Sequence, residues 1–281
     1  MKFKKIGLTG STGVLGQFLK KKFKSYQFDT FKGDLSSKTQ IKKWIKNKKF
    51  DGIFHLAAIV PTNQVSMNLK KAIKVNYEGT KILVDEIIKQ NTTDWFMFTS
   101  TSHVYNFNKK RIKENSKTKP ISKYGYTKLK AEKYILKKKN KIKICIVRIF
   151  SYTHYKQKNS FIVPSIYKKF KNNKSIKLEN VNHVRDFVDI RDIYSAFKIL
   201  FLKKKEGIYN LGSGKKTSLF KIINFFSKKF NKEYKIKDYN KVTTLVSDNS
   251  KLTKIGWRPK FSLSNTLKKF YHEKSISKSL T

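Results

Sequence analysis

A chain of 281 residues with 38% hydrophobic and 14% aromatic side chains is long enough for one large domain, or for a domain with a smaller lobe. Its one cysteine, Cys145, excludes an internal disulfide; set in the apolar run 144–147, it is expected to be a buried thiol, which suits a reducing cytosol. Sixty-five Lys and Arg against 18 Asp and Glu give a formal net charge of +47 at pH 7.

That charge has two readings. One is an electrostatic footprint for nucleic acid, which would make the chain a catalytically silent RNA-binding or regulatory protein with a basic surface. The other is lysine spread over the whole exterior. Arginine, the residue suited to bidentate phosphate recognition, occurs only at 111, 148, 185, 191 and 258, and the lysines recur along the entire chain. No specific nucleic-acid partner is therefore expected, although a positive surface still attracts an anionic substrate. No apolar run approaches a membrane span and the first strand begins almost at Met1, so neither membrane insertion nor a signal peptide is expected, and the location is read as cytoplasmic.

In chain order, residues 2–8 alternate and then run apolar, which predicts a short buried strand. Thr9-Gly10-Ser11-Thr12-Gly13-Val14-Leu15-Gly16 follows, and 17–24 predicts a helix. A strand, glycines at three-residue steps and a helix start form a phosphate cradle, because glycine admits a close approach and the helix N-terminus offers free N–H groups. A tight strand-to-helix turn is the plainer alternative. Strands are predicted over 26–31, 52–58, 94–100 and 143–150, with helices over 39–47, 68–90 and 128–138. This alternation predicts an α/β protein: a Rossmann-type doubly wound parallel sheet. Beyond Phe150 the rhythm changes, with helices near 163–170, 193–202, 219–230 and 263–271, a strand at 207–211 and a polar tail over 273–281. The expected organisation is a dinucleotide-binding domain over 1–150, rejoined by 184–213, and a small C-terminal α/β substrate-binding lobe from 151–183 and 214–281.

Tyr124 and Lys128 stand four apart at a helix start, on one face, where an ammonium favours the phenolate and makes a proton donor or acceptor. In so lysine-rich a chain the pairing also arises by chance, as Tyr134 and Lys138 illustrate. Thr101 ends a strand, where hydroxyls face the crevice in which open α/β sheets bind ligands. No Cys/His cluster or acidic triplet suggests a metal.

Taken in order, Thr9–Gly16, Gly33-Asp34-Leu35, His55-Leu56-Ala57-Ala58, Val75–Thr80, Ser100–Tyr105, Ser122–Lys128, Arg185–Asp192, Tyr209–Gly212 and Gly256–Pro259 resemble the NAD-dependent epimerase/dehydratases. These are extended short-chain dehydrogenase/reductases acting on nucleotide sugars. The resemblance implies Tyr124 as acid/base, Lys128 as its partner and a ribose ligand, and Thr101 on the reacting oxygen. It places Gly10, Thr12, Gly13, Val14, Leu15 and Gly16 at the pyrophosphate, Asp34 and Leu35 by the adenine, and Leu56, Ala57 and Ala58 along the cofactor. Ser102 and His103 stand where dehydratases carry Asp-Glu, which disfavours dehydration; His103 is an extra acid/base or a hydrogen-bonded spectator. Arg148–Ser151 and Arg185–Asp192 look most like GDP-4-dehydro-6-deoxy-mannose reductases, with Ser151 and Arg185 on the substrate side and Asp238 where an arginine usually clamps the diphosphate. The activity implied is a 4-keto-6-deoxy sugar reductase or a 4-epimerase. Asp29, near the ribose acid position, favours NAD, while Lys32 suits NADP, so the cofactor is NAD or NADP. The helices over 68–90 and around Tyr124 resemble those of the family's homodimer.

Overall fold

In a computed structural model of the chain, residues 4–60, 62–179, 181–237 and 241–276 are described; Asp238, the expected diphosphate-side position, lies outside them. β1 (Lys4–Thr9), α1 (Val14–Lys22), β2 (Tyr26–Thr30), α2 (Lys38–Ile45) and β3 (Gly52–His55) open the chain. α3 (Thr62–Met67) and α4 (Leu69–Ile73) lead through a π-helical turn, Lys74–Gly79, into α5 (Thr80–Lys89). β4 (Trp95–Thr101), a 3-10 turn (Ser102–Val104), α6 (Lys123–Leu136) and β5 (Lys143–Ile149) follow.

The later chain holds β6 (Ser151–Tyr152), α7 (Ile162–Asn172), β7 (Lys177–Leu178), β8 (His183–Arg185) and β9 (Phe187–Val188). Next come α8 (Ile190–Leu202), β10 (Gly207–Leu211), β11 (Thr217–Ser218), α9 (Leu219–Phe230), β12 (Lys235–Ile236), β13 (Thr243–Leu245), α10 (Ser250–Lys254) and α11 (Leu263–Ile276).

Three predicted elements change in instructive ways. The helix expected over 68–90 divides into α4, the π turn and α5; such single π turns re-aim a helix where a side chain is needed elsewhere. Helix α6 starts five residues before the predicted 128, because Ser122 caps it by accepting the Gly125 N–H at 3.0 Å. Strand β3 stops at His55, three residues short of the predicted end, and leaves Leu56, Ala57 and Ala58 as a loop.

The chain folds into two compact units. The first comprises Met1–Asn106, Glu114–Ile149 and Tyr194–Asn210, the second Phe107–Lys113, Phe150–Ile193 and Leu211–Thr281. Of the segment 184–213 assigned in sequence to the sheet domain, 194–210 belongs to the first unit and the flanks to the second.

A six-stranded sheet runs in the order β10-β5-β4-β3-β1-β2, and the pairs β1–β2, β1–β3, β3–β4 and β4–β5 are parallel. This is a doubly wound Rossmann sheet. Its order reverses between β1 and β3, so the crevice beyond Thr9 and His55 is its topological switch point. Ile53, Phe96, Phe98, Ile144 and Ile146 of the strands bury themselves with Ile41, Leu83, Val84, Ile87, Ala131 and Ile135 of α2, α5 and α6. An aromatic group including Phe54, Trp95, Phe197 and Phe201 packs edge-on or tilted, at centroid distances of 5.4–6.0 Å. Cys145 is buried, as expected.

The second unit packs Phe170, Leu178, Ile222, Phe226 and Phe270 into its own core and contains a small β11-β8-β13 sheet. Asp186, fully buried there, accepts from Ser213 (N and Oγ), Gly214 N and Ser247 (N and Oγ). Among the described residues, no helix is long and apolar enough to cross a membrane, and no three His, Cys, Asp or Glu gather as a metal site.

Candidate active site

The glycine turn is built by close packing. Gly10 has φ +75, and a Cβ there would stand 2.7 Å from the Ala57 N, so only glycine fits. A Cβ on Gly16 would meet the Gly10 carbonyl oxygen at 2.3 Å. Gly13 differs: its nearest neighbour would be the Gly10 oxygen at 3.5 Å, so the space beside it holds no other protein atom within contact. Gly13 also caps α1 without a side-chain hydrogen bond, and no acidic residue lies in the first turn. A backbone bare on one side, at a helix start with uncapped N–H groups, fits a pyrophosphate. Thr12, Val14 and Leu15 lie on this turn and on the start of α1.

Five other positions, Asp34, Leu35, Leu56, Ala57 and Ala58, are expected on the cofactor side. The Asp34 carboxylate accepts from Ser36 N and Oγ at 2.8 and 2.7 Å, and these bonds hold it below the usual carboxylate range. Leu35 is buried against the π turn, where a Cβ on Gly79 would touch its carbonyl. Ala57 donates its N–H to Thr9 Oγ1 at 3.2 Å, and Leu56 donates to the Thr9 carbonyl at 3.3 Å, which seats the 56–58 loop beside the turn.

Asp29 is bonded to neighbouring side chains. It pairs in register with Gly7 within the sheet, and its carboxylate accepts from Trp44 Nε1 at 2.8 Å and meets Lys48 at 2.9 Å and Lys5 at 3.4 Å. Burial opposes its ionisation, yet the bonds from Lys48 and Trp44 hold its pKa low. The structure ties this side chain to α2 and the loop after it.

The catalytic candidates meet at the end of β4. Thr101, buried, caps the 3-10 turn by accepting the His103 N–H at 3.2 Å. The His103 ring lies edge-on to Tyr124, with centroids 6.2 Å apart, and its Nδ1 is 3.0 Å from Ser122 Oγ. One histidine therefore spans the threonine, the helix cap and the tyrosine. Gly125 permits this approach: a Cβ there would come within 2.1 Å of the His103 carbonyl oxygen. Ser102 is buried in the same turn.

Lys128 is 1% exposed, its ammonium 3.9 Å from the centre of the Phe98 ring. Burial lowers its pKa from 10.5 to about 7, and Glu132, one turn further along α6, works against that shift. No hydrogen bond from this ammonium is found among the described residues, so a buried cation stands ready for an oxygen ligand such as a ribose hydroxyl. Glu132 was not singled out from sequence, although its i+4 spacing from Lys128 is a readable signal.

Ser151 and Arg185 belong to the second unit. Ser151 opens β6 opposite Phe187. Arg185 donates to the carbonyls of Val184 (3.0 Å) and Thr243 (2.8 Å) and to Thr243 Oγ1 (3.0 Å), and stacks over Phe107 at 5.3 Å. Burial lowers its pKa from 12.5 to about 10.

Known proteins share this architecture. The chain is 27% identical over 270 residues to GDP-6-deoxy-D-talose 4-dehydrogenase of Aggregatibacter actinomycetemcomitans, covering 89% of this chain and 90% of that one. The structure of RMD from Pseudomonas aeruginosa complexed with NADPH superposes with a TM-score of 0.86 at 19% identity, over 94% of this chain and 95% of that one. UDP-glucose 4-epimerase of Thermus thermophilus, complexed with NAD, gives 0.85 at 18% identity, over 95% and 99%. Residues 6–212 match the model of the NAD dependent epimerase/dehydratase family, a family of enzymes, and the chain belongs to it.

Proposed function

We propose that this protein is an NAD(P)-dependent nucleotide-sugar oxidoreductase working at the sugar C4, as a 4-keto-6-deoxy sugar reductase or a 4-epimerase. The observation that carries this reading is the buried Lys128 ammonium, lacking a hydrogen-bonding partner among the described residues, one turn beyond Tyr124. A bound nicotinamide dinucleotide supplies the hydride acceptor or donor. Gly10, Gly13, Gly16 and the first turn of α1 hold the pyrophosphate, and Lys128 holds the ribose. Tyr124 takes the proton of the C4 hydroxyl as the C4–H bond breaks, or returns it when a 4-ketone is reduced. Lys128 steadies the phenolate, and Thr101 orients the sugar oxygen. To the nucleotide sugar we assign Ser102, His103, Ser151 and Arg185. Two copies are expected to pair through α5 and α6.

Relatives named for GDP-sugar and UDP-sugar chemistry support the substrate class without choosing between the two activities. A thermal-shift screen of nucleotide sugars with NAD and NADPH identifies the ligands, because a molecule bound only by the folded state raises the melting temperature. Tightly retained NAD marks an epimerase and exchangeable NADPH a reductase. With the substrate in hand, Tyr124→Phe is expected to abolish turnover while keeping cofactor binding; unchanged turnover would end the proposal.

A further inference from the structure

His55 is fully buried at the end of β3 and has no part in the chemistry above. Its Nδ1 lies 2.6 Å from Thr9 Oγ1 and its Nε2 2.8 Å from Thr80 Oγ1. The neighbours determine where its hydrogen sits. Thr80 donates its only hydroxyl proton to the Asn76 carbonyl at 2.9 Å, so toward His55 its oxygen must accept. The imidazole hydrogen is therefore on Nε2. In the neutral ring Nδ1 is then an acceptor, and Thr9 donates to it while accepting the Ala57 N–H.

The line continues past Thr80. Asn76, also fully buried, clamps the Ile59 backbone through Oδ1 (2.7 Å) and Nδ2 (3.2 Å), and its other Nδ2 hydrogen goes to Thr127 Oγ1 at 3.1 Å. Thr127 passes its own proton to the Tyr124 carbonyl at 2.8 Å. Side chains on β1, β3, α5, the π turn and α6 thus join the residue before Gly10 to the backbone of Tyr124. Every proton along the line points the same way.

An imidazolium does not fit this line. Its second N–H would face Thr9 and force that hydroxyl to turn its proton elsewhere. The rings of Phe96 and Phe98 flank it on β4, Thr9 and Thr80 are uncharged, and the charged group acting on it is Lys128 of α6, another cation. Burial first, and Lys128 second, hold its pKa well below the ordinary histidine value.

We propose that His55, fixed as the neutral Nε2–H tautomer, is a positioning residue that ties the glycine turn to the helix bearing Tyr124 and Lys128, so that seating a dinucleotide and aligning the tyrosine are coupled. The proposal rests on reading the turn as the cofactor cradle. Nitrogen-15 NMR of the imidazoles in ligand-free protein at pH 7, with His55 assigned through its contact to the Thr80 methyl, reports the tautomer directly. The expected result is a neutral Nε2–H ring. Thr80→Val removes the acceptor at nearly constant volume; it is expected to lose that tautomer preference and to weaken NADH or NADPH binding, read by fluorescence, about three- to tenfold. Thr80→Ser restores both. An Nδ1–H ring or an imidazolium in the wild type overturns the proposal whatever the variants do. If the wild type binds cofactor and Thr80→Val binds it equally well, the coupling alone is wrong. If the wild type binds neither NADH nor NADPH, the cofactor reading fails and the coupling falls with it.

Discussion

Glu132 grips Arg148 along its whole edge inside the first unit: Nη2 lies 2.6 Å from Oε2, and Nε lies 3.1 and 3.2 Å from the two carboxylate oxygens. Ser100 donates to the same carboxylate, and the remaining guanidinium nitrogen donates to Tyr105 Oη at 2.7 Å and to the Glu114 carbonyl at 3.1 Å. Both partners are nearly sealed from solvent, so this pair fixes α6 against β4 and β5 just below Lys128.

Breaking that pair from one side leaves an uncompensated charge in the interior. Arg148→Met is expected to cost about 3–5 kcal/mol of folding stability, measured by urea denaturation. A loss below about 1 kcal/mol would mean that the pair is hydrated and contributes little.

Lys128 makes stability depend on alkaline pH. Its folded pKa, about 7, lies below the ordinary 10.5 because burial disfavours the charge. Below pH 7 both folded and unfolded chains carry the proton, and the cost of burying it is fully present. Between 7 and 10.5 the folded chain sheds the proton while the unfolded chain keeps it, so stability rises with pH. Relative to Lys128→Met, the ligand-free wild type is expected to gain about 1.4 kcal/mol per pH unit across this window and nothing beyond it. Parallel stability curves for the two proteins would contradict this assignment.

Gly13 and Gly16 separate ligand from fold. Gly16→Ala drives a methyl into the Gly10 carbonyl and is expected to lower stability by about 1–3 kcal/mol. Gly13→Ala meets nothing nearer than 3.5 Å. It is expected to leave stability within about 0.5 kcal/mol. Its binding of NAD or NADPH should still fall on the order of tenfold, since the methyl would fill the side proposed to receive the pyrophosphate. Calorimetric titration and thermal melts of the two variants check both halves.

Much of this was legible from residue order. The glycine turn, the alternation of strands and helices, and the Tyr124–Lys128 spacing are local patterns, and the first two correspond to the turn and the sheet described. The apolar spacing over 128–138 caught only the later part of α6, whereas the Tyr124–Lys128 pair already marked a helix start; the role of Gly125, the contact that admits His103, emerges only in the fold. For Asp29, whose position suggested a ribose ligand, the partners Trp44 and Lys48 come from a helix and a loop whose reach no spacing rule predicts. The same holds for the proton line through His55: its members sit in several recognisable motifs, and only folding brings their hydroxyls together.

Asp186, encircled by five donors, carries a lesson for reading so cationic a chain. Glu86, Glu132, Asp186, Asp189 and Asp192 are all buried, although acidic residues number only 18 in the whole sequence. Where carboxylates are this scarce, the buried ones mark interior bonding, while others such as Asp94 and Glu179 stay on the surface. In sequences of similar bias, the rare acidic positions are the first places to look for the joints of the fold, and the abundant lysines the last.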